Sequence, residues 1–467
     1  MKRADSARAP YRITEDPIPG LLTRLAAPAS IGFFFNTMFN VVDTYWGGRI
    51  STDALAALSL SFPVFIVILS VGVGIGSGTN ALIANAIGAG RHEQAVRYQV
   101  QAISLALLVA CAVSVPLFVA LPSVFRFMNA EGELLAAALR YARVIVAGGV
   151  ALILNNVVNA GLTARGDTRS FRNFLMLGFL LNIGLDPLFM LGLSVGGVVV
   201  IPALGEAGIA LATVAIQCFG LAYLAFRSVA MRTCAGSRLH DYLPERALFR
   251  EIWGQGFPAA MNMMTMAVGT FVITYFISRY GRDAVAAYGA AIRIEQIALV
   301  PTIGLNIALA TIVGQNNGAG RIDRVVQGYR TSLMLGAGIM VAVYTPVLLF
   351  ARPLLGLFTD NPDVVQIGLS YLYIEAITFF SYVAMNQANS VMQGVKRPGM
   401  IFWVALYRQI AAPLVVFPLL TETVGLGVTG VWWGLVVVNW SAALYSLLHA
   451  ANCIRRARAL AAEPGTR

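Results

Sequence analysis

Acidic side chains inside apolar stretches are the residues of this sequence that are best placed to do chemistry. In the first such stretch Asn36, Asn40 and Asp43 recur at steps of four and three, on one face of a helix built mostly from Phe, Met and Val. A carboxylate is costly inside a bilayer and by default marks an ion or substrate path. The alternative is that Asp43, close to Gly47 and Gly48, lies at the membrane surface and is solvated there.

A second acid lies in the fifth apolar stretch, where Asn182 and Asp186 are four residues apart and share a helix face. Pro187 follows directly, removes a backbone donor and favours a kink beside the carboxylate. Thr213 in the sixth stretch adds a hydroxyl. We therefore predict that Asp43, Asn182, Asp186 and Thr213 form a site that couples transport to a cation or proton.

Amides in the fourth stretch have two interpretations. Asn156 and Asn159 share a helix face, and Asn386 and Asn389 occupy the matching positions in the second half of the chain. They could line a cavity with Asn36, or they could hold helices together, which is worth about 0.6–2 kcal/mol for each such side chain. The sequence leaves both open.

The second half has charged residues of its own, namely Arg293, Glu295, Glu375 and Arg408. Arg293 and Glu295 are two residues apart and do not face each other on a helix. Glu295 could pair with Arg408 as a structural ion pair.

Candidate substrate contacts extend beyond the acids. The seventh stretch carries four methionines, of which Met261 and Met264 are candidates for an adaptable binding wall or for ordinary core filling. The candidate cavity residues are Asn36, Asn40, Asn156, Asn159, Met261, Met264, Arg293, Glu295 and Glu375.

The composition shows what surrounds these groups. Of 467 residues 58% are hydrophobic and only 12% are charged, whereas a soluble domain carries about 25% charged residues. Apolar runs of at least about 20 residues, enough to cross a bilayer, recur along the chain. We predict an all-α integral membrane protein with spans at 21–47, 54–86, 95–121, 133–162, 170–192, 205–228, 248–278, 284–315, 325–350, 364–394, 398–420 and 426–452.

The two halves of the chain repeat each other at an offset of 230 residues. Pro28 matches Pro258, and Tyr141 matches Tyr371. Asp43 has no acidic counterpart, because Ile273 occupies its place. Repeats with a substrate site at their interface are typical of transporters that alternate their access. Two six-helix lobes with six spans each must have the same orientation, so the repeat is parallel.

Charge is distributed unevenly along the chain. The net charge is +11, and most of the 33 Lys and Arg residues fall on one side of the predicted spans. The positive-inside rule then places both termini in the cytoplasm. We expect the membrane to be a bacterial cytoplasmic (inner) membrane. The predicted division is a cytoplasmic N-terminal segment 1–20, an N-terminal lobe 21–228, a linker 229–247, a C-terminal lobe 248–452 and a cytoplasmic tail 453–467.

Other classes of function have no support in the sequence. The four cysteines are scattered without CxxC spacing, the three histidines form no metal cluster, and no nucleotide-binding loop is present. We therefore expect no cofactor, no metal, no nucleic-acid partner and no enzymatic activity. The expected partners are membrane lipids and small organic substrates. We expect the protein to be a monomer and its transport to be driven by an ion gradient.

Several motifs in order resemble those of the multidrug and toxic compound extrusion (MATE) family over nearly the whole chain. The motifs run from Pro28 through Asn40–Asp43 to Asp53–Ala57, then Gly88–Gly90, Leu162–Arg169, Asn182–Pro187, Gly208–Thr213, Gly314–Gly320 and Gln393–Gly394. Each is weak alone, whereas their order and spacing together are specific. The resemblance implies twelve helices and export of organic compounds.

Within that family the chain looks most like the DinF-like branch. That resemblance implies a cation-sensing site in the N-terminal lobe at Asp43, Asn182 and Asp186, with Asn156, Asn159 and Thr213 as neighbours. The sodium-coupled NorM-like branch is less similar, since it expects an acid in the seventh span and 258–278 contains none. Thr163 and Ala164 replace the Gln-Gly usual in their loop.

We thus expect an antiporter that exports amphipathic, often cationic compounds, with protons as the coupling ion. Two nearby carboxylates in a low-dielectric site need not both be ionised, and a shared proton is the less costly state. Three alternatives stay open. The first is coupling to sodium instead of protons. The second is a flippase for lipid intermediates or polysaccharides, which would need a strongly basic cavity. The third is an integral-membrane enzyme.

Overall fold

The computed structural model describes residues 11–195 and 198–462. Residues 1–10 of the predicted N-terminal segment and 463–467 of the predicted tail lie outside the described residues. Helices make up nearly all of the described chain, because backbone groups within a bilayer must be hydrogen-bonded inside their own segment.

The first repeat contains seven helices and a short hairpin. In chain order these are α1 Ile18–Ile50, α2 Thr52–Gly88, α3 His92–Phe127, α4 Gly132–Ala147, α5 Gly149–Thr163, α6 Arg169–Leu191, β1 Leu193–Val195, β2 Val198–Ile201 and α7 Glu206–Ala230. The antiparallel hairpin was not predicted. It sits between two glycines with positive φ, Gly192 at the end of α6 and Gly205 before α7, where residues with a side chain would be strained.

The second repeat follows a short 3₁₀ turn, Leu239–Tyr242, within the predicted linker. Its helices are α8 Arg246–Ser278, α9 Arg282–Gly318, α10 Ile322–Leu349, α11 Ala351–Gly356, α12 Pro362–Glu375, α13 Thr378–Gly394, α14 Gly399–Leu406, α15 Ala412–Pro418 and α16 Val428–Ala462. Two π-helical turns, Tyr407–Ala411 and Leu419–Thr423, interrupt the eleventh span around α15.

The predicted number of spans is confirmed for the described part of the chain. Ten helices, counting the interrupted segment Gly399–Thr423 as one, are long and apolar enough to cross a membrane. Two bent pairs raise the number to twelve, α4 with α5 at 41° and α12 with α13 at 49°. The bends lie in the fourth and tenth spans, which are the same position in each repeat.

The internal repeat is visible in the helix bounds as well. Helices α2 and α9 each have 37 residues, and both of their ends match at the 230-residue offset read from the sequence. The first helices of the repeats, α1 and α8, contain the matching prolines Pro28 and Pro258.

The described chain forms two compact units. The first comprises 31–86 and 91–260, and the second comprises 11–30, 87–90 and 261–467, residues 1–10 and 463–467 aside. This partition differs from the predicted lobes in the first helices of the repeats, since residues 21–30 belong to the second unit and 248–260 to the first. Each unit has its own apolar core, for example Phe174 with Ile216 in the first unit and Phe417 with Trp432 in the second.

Candidate functional site

Four polar side chains of the first compact unit meet in one buried cluster. The Asn182 Nδ2 group donates to Asp43 Oδ1 at 2.8 Å and to Asp186 Oδ1 at 2.9 Å. The Thr213 hydroxyl lies 3.4 Å from Asp43 Oδ2 and 3.2 Å from the Ile209 carbonyl, and its one proton can serve only one of these acceptors. A single amide therefore bridges two carboxylates that come from different helices, and we call these four residues the acidic cluster.

Small residues bring the three helices of the acidic cluster close together. A Cβ atom on Gly208 of α7 would lie 2.5 Å from the Phe189 carbonyl of α6, so only glycine permits this approach. Gly32 of α1 lies against Arg172 of α6 less closely, because a Cβ there would be 3.1 Å from the Arg172 Cα, which is a tight contact. These contacts fix α1, α6 and α7 at distances short enough for the polar side chains to meet.

Burial makes the acidic cluster electrostatically unusual. Asp186 and Asn182 are fully buried, and Asp43 keeps only 8% of its surface exposed. Within the described residues, Asp186 Oδ2 and Asn182 Oδ1 have no hydrogen-bond partner. Two full negative charges side by side in a medium of low dielectric constant repel strongly, so the arrangement favours one proton or one cation held between the carboxylates.

A tyrosine that was not among the predicted site residues lies beside the acidic cluster. Tyr141 of α4 is close enough to Asp43 and Asp186 to interact electrostatically with both carboxyl groups. Its repeat partner Tyr371 donates to an acid in the second unit, the Glu295 carboxylate. The matching tyrosines in the sequence were the signal that could have identified Tyr141.

The two asparagines that precede Asp43 on α1 do not join the acidic cluster. Asn40 is exposed, and its amide donates to the Asn36 carbonyl at 2.9 Å, one turn earlier in the same helix. Asn36 is half-buried, and among the described residues neither side-chain amide has a hydrogen bond to Asp43, Asn182 or Asp186. The polar face predicted for α1 thus divides into one buried acid and two amides outside the acidic cluster.

The asparagines of α5 form local contacts. Asn156 donates to the Leu152 carbonyl at 3.0 Å, and its amide packs where Gly72 of α2 leaves room. Asn159 accepts from the Thr163 hydroxyl at 3.3 Å. Both side chains are half-buried. These contacts within α5 favour the interpretation that Asn156 and Asn159 hold helices together, rather than the interpretation that they converge on the acids.

The second unit contains buried acids of its own. Glu295 of α9 is buried and accepts from the Tyr371 hydroxyl at 2.6 Å. The ion pair considered for Glu295 and Arg408 does not form: Arg408 donates to Asn439 Oδ1 at 3.1 Å and lies over the Tyr382 ring. The neutral hydroxyl of Tyr371 is therefore the direct partner of Glu295.

Glu375, the last residue of α12, lies where the tenth span bends into α13. It is fully buried, and neither carboxyl oxygen has a hydrogen-bond partner within the described chain. Arg293, two residues before Glu295, is exposed on the other side of α9. Met261 and Met264 of α8 are half-buried, as a cavity wall or a helix contact would be.

No metal-binding arrangement is found among the described residues, since no three His, Cys, Asp or Glu side chains converge there. The acidic cluster has two carboxylates, one amide and one hydroxyl. This set suits a proton or a small cation held by oxygen atoms.

Comparison with known proteins decides the family. The model of the MatE family matches residues 28–188 and 258–418, two copies at the same 230-residue offset as the repeat. The chain belongs to the MATE family. It is therefore a multi-pass membrane transporter with two repeats, and not an enzyme, as the sequence predicted.

Relatives and solved structures agree with this assignment. The chain is 28% identical to the probable multidrug resistance protein NorM of Thermotoga maritima, over 89% of this chain and 88% of the relative. It is also 28% identical to the FAD transporter of Shewanella oneidensis, over 75% of this chain and 76% of that protein. A structure described as the outward-facing conformation of a multidrug resistance MATE family transporter matches 96% of this chain and 98% of its own, with 26% identity and a TM-score of 0.88. These matches do not separate the DinF-like from the NorM-like branch, so the branch stays a prediction.

Proposed function

We propose that this MATE transporter exports amphipathic, often cationic organic compounds in exchange for protons that enter through the acidic cluster. The observation that supports the proposal is the amide of Asn182 holding two buried carboxylates from different helices. A proton that binds this pair removes one charge from a buried site, which changes how α1 packs against α6 and α7. Drug release and proton entry are then linked as alternative states of one transporter.

The proposed direction of transport rests on the charge distribution of the sequence. The positive-inside bias predicts that both termini lie in the cytoplasm, so the helix ends nearest Asp43 and Asp186 would face the outside. Protons driven inward then reach the cluster from the outer face.

Sodium is the second candidate coupling ion. Asn182 Oδ1 and Asp186 Oδ2 have no partner in the described chain, and together with the Asp43 carboxylate and the Thr213 hydroxyl they could surround one small cation. A sodium site would use these oxygens as ligands, whereas a proton needs only the two carboxylates.

The substrate class is open to a direct comparison. The relatives include multidrug resistance proteins and one FAD transporter. FAD carries phosphates and is anionic, whereas the buried acids Glu295 and Glu375 of the second unit favour cations. Uptake assays with a cationic dye and with FAD distinguish the two classes.

The test uses proteoliposomes of the full chain loaded with a cationic fluorescent dye. A pH gradient and a sodium gradient are imposed separately at constant membrane potential. We expect the pH gradient to drive dye movement and the sodium gradient to leave it unchanged. Dye movement driven by sodium but not by a pH gradient would contradict proton coupling. The exposed-carboxylate variant Asp53→Asn serves as a control that should behave as wild type.

A further inference from the structure

An open apolar groove lies on the first compact unit, and no residue of the acidic cluster lines it. It has a volume of about 690 Å³ and is bounded by α3, α4, α5 and α7 at the bend between α4 and α5. Its walls are almost wholly apolar and include Phe118, Arg143, Ala147, Leu211, Val214 and Cys218. In a membrane protein a groove of this kind is filled by lipid or by a lipid-soluble molecule.

One cation lies at the groove without an anionic partner. Arg143 is exposed, and its guanidinium is 5.9 Å from the centre of the Phe118 ring. It has no ion pair with a carboxylate among the described residues. Arg140, one turn earlier on α4, differs in this respect, because it binds Glu133 at 2.6 Å and Glu206 at 3.3 Å. The structure thus neutralises one arginine of α4 and leaves the next one available to a ligand.

The depth of Arg143 suits the headgroup region of a bilayer. Arg140 contacts Glu206, the first residue of α7. Arg140 therefore lies at the same depth as the beginning of α7. Three residues further along α4 correspond to about 4.5 Å of rise. A long arginine side chain at that depth reaches the phosphate level of the lipid, where its charge is satisfied at little cost.

We propose that this groove binds an anionic phospholipid, with the headgroup phosphate on Arg143 and an acyl chain along Ala147, Val214 and Cys218. The planar guanidinium can bind two phosphate oxygens at once. A zwitterionic lipid brings its own ammonium group beside the phosphate, so a lipid with net negative charge gains more from an unpaired arginine. Helix α7 carries Val214 and Cys218 in the groove wall, and it carries Thr213 in the acidic cluster.

The experiment measures lipid binding to the purified full chain by native mass spectrometry. Phosphatidylglycerol and phosphatidylcholine with identical acyl chains are titrated separately. We expect wild type to prefer phosphatidylglycerol and Arg143→Gln to lose at least about fivefold in affinity for it, the effect of one basic residue near a membrane surface. Arg126→Gln, which removes an exposed arginine of α3 outside the groove, should keep the preference.

A second variant tests the acyl-chain part of the site. Ala147→Trp fills the groove without changing its charge and should weaken the binding of both lipids. Cys218→Trp, on the opposite wall, repeats this test if Ala147→Trp does not fold. An unchanged preference in Arg143→Gln, an equal loss in Arg126→Gln, or undiminished lipid binding in a folded groove-filling variant would overturn the proposal.

Discussion

At the scale of single residues, the acids of this chain fall into two different environments. Asp43 and Asp186 share one amide donor and lie in the first unit, whereas Glu295 has a tyrosine hydroxyl and Glu375 has no partner in the described chain. A carboxylate that is bridged to a second carboxylate responds to any proton on its neighbour. We therefore expect protonation of one carboxylate to affect the other most directly in the acidic cluster, where Asn182 bridges Asp43 and Asp186.

Asp43→Asn should abolish coupled export and leave the protein folded and inserted. Asparagine keeps the shape of aspartate and can still accept from Asn182, but it cannot take up or release a proton. Dye resistance of cells that produce the variant at wild-type level measures the effect, with Asp53→Asn as the control. Wild-type resistance in the Asp43→Asn cells would remove this residue from the coupling site.

Asp186→Asn should have the same effect, and the double variant should be little worse than either single one. Residues that act as one unit are not additive, because the first substitution already destroys what the second one would remove. Initial rates of dye efflux in proteoliposomes give the three losses relative to wild type. If the fold-loss in rate of the double variant equals the product of the fold-losses of the two single variants, the two carboxylates work independently.

At the scale of elements, the close approach of helices repeats with the sequence. In the second unit a Cβ on Gly304 of α9 would lie 2.3 Å from the Ala26 carbonyl of α1. In the first unit the matching Gly74 of α2 lies against Gly256 of α8, and Gly256 is the repeat partner of Ala26. Glycines inside helices α2 and α9 thus allow backbone contact with the beginning of α8 and α1.

Gly304→Ala should destabilise the protein, while Gly289→Ala in the same helix should not. The added methyl group at 304 meets backbone atoms, which cannot move aside as a flexible side chain can, and overpacking of this kind typically costs about 1–3 kcal/mol. A methyl group at 289 meets nothing within 4 Å. Thermal unfolding in detergent compares the two variants. Equal melting temperatures would show that α1 can shift away from α9 without cost.

Arginine side chains hold the segment that leads into α1. Arg324 of α10 donates to the carbonyls of Ile13 at 3.2 Å and Asp16 at 2.6 Å, and to Asn316 Oδ1 at 3.0 Å. The segment that leads into α8 is held by α3, the counterpart of α10 in the first repeat. There Gln101 donates to the carbonyls of Asp241 and Leu243 at 2.7 Å. Both first helices of the repeats therefore have an anchored beginning.

Arg324→Gln should release residues 11–16 from α10. Glutamine is shorter and cannot reach several carbonyls at once, so these backbone groups exchange with solvent more often. Hydrogen–deuterium exchange of the N-terminal peptide should become faster, and the rest of the protein should be unaffected. Arg330→Gln, at an exposed position of the same helix, is the matched control. Unchanged exchange in Arg324→Gln would mean that the apolar contacts of Ile13 and Ile18 suffice to hold the segment.

At the scale of the whole molecule, two repeats with the same number of spans must place both termini on one side of the membrane. The basic residues of the sequence predict that this side is the cytoplasm. Single cysteines introduced at Arg91 and Arg321, which follow the matching spans α2 and α9, should be labelled by a membrane-impermeant reagent only in inverted vesicles. Labelling of either position in intact cells would contradict the predicted orientation, and a cysteine at Arg282 should show the opposite behaviour.

The sequence by itself determined the architecture of this transporter. Apolar runs of bilayer length, the 230-residue offset and matched prolines are local or periodic signals, so they predict twelve spans and two repeats without knowledge of any contact. The same signals show that Asp43, Asn182 and Asp186 are costly residues for a membrane helix.

Only the tertiary structure decided which of the polar residues meet. Helical periodicity gives the face of each residue on its own helix, but the depth and rotation of one helix against another depend on packing at positions such as Gly208 and Gly32. For that reason Asn182 reaches two carboxylates while Asn40 binds its own backbone, although both precede an acid by three or four residues. The partner of Glu295, a tyrosine 76 residues away in the chain, was likewise beyond any local pattern.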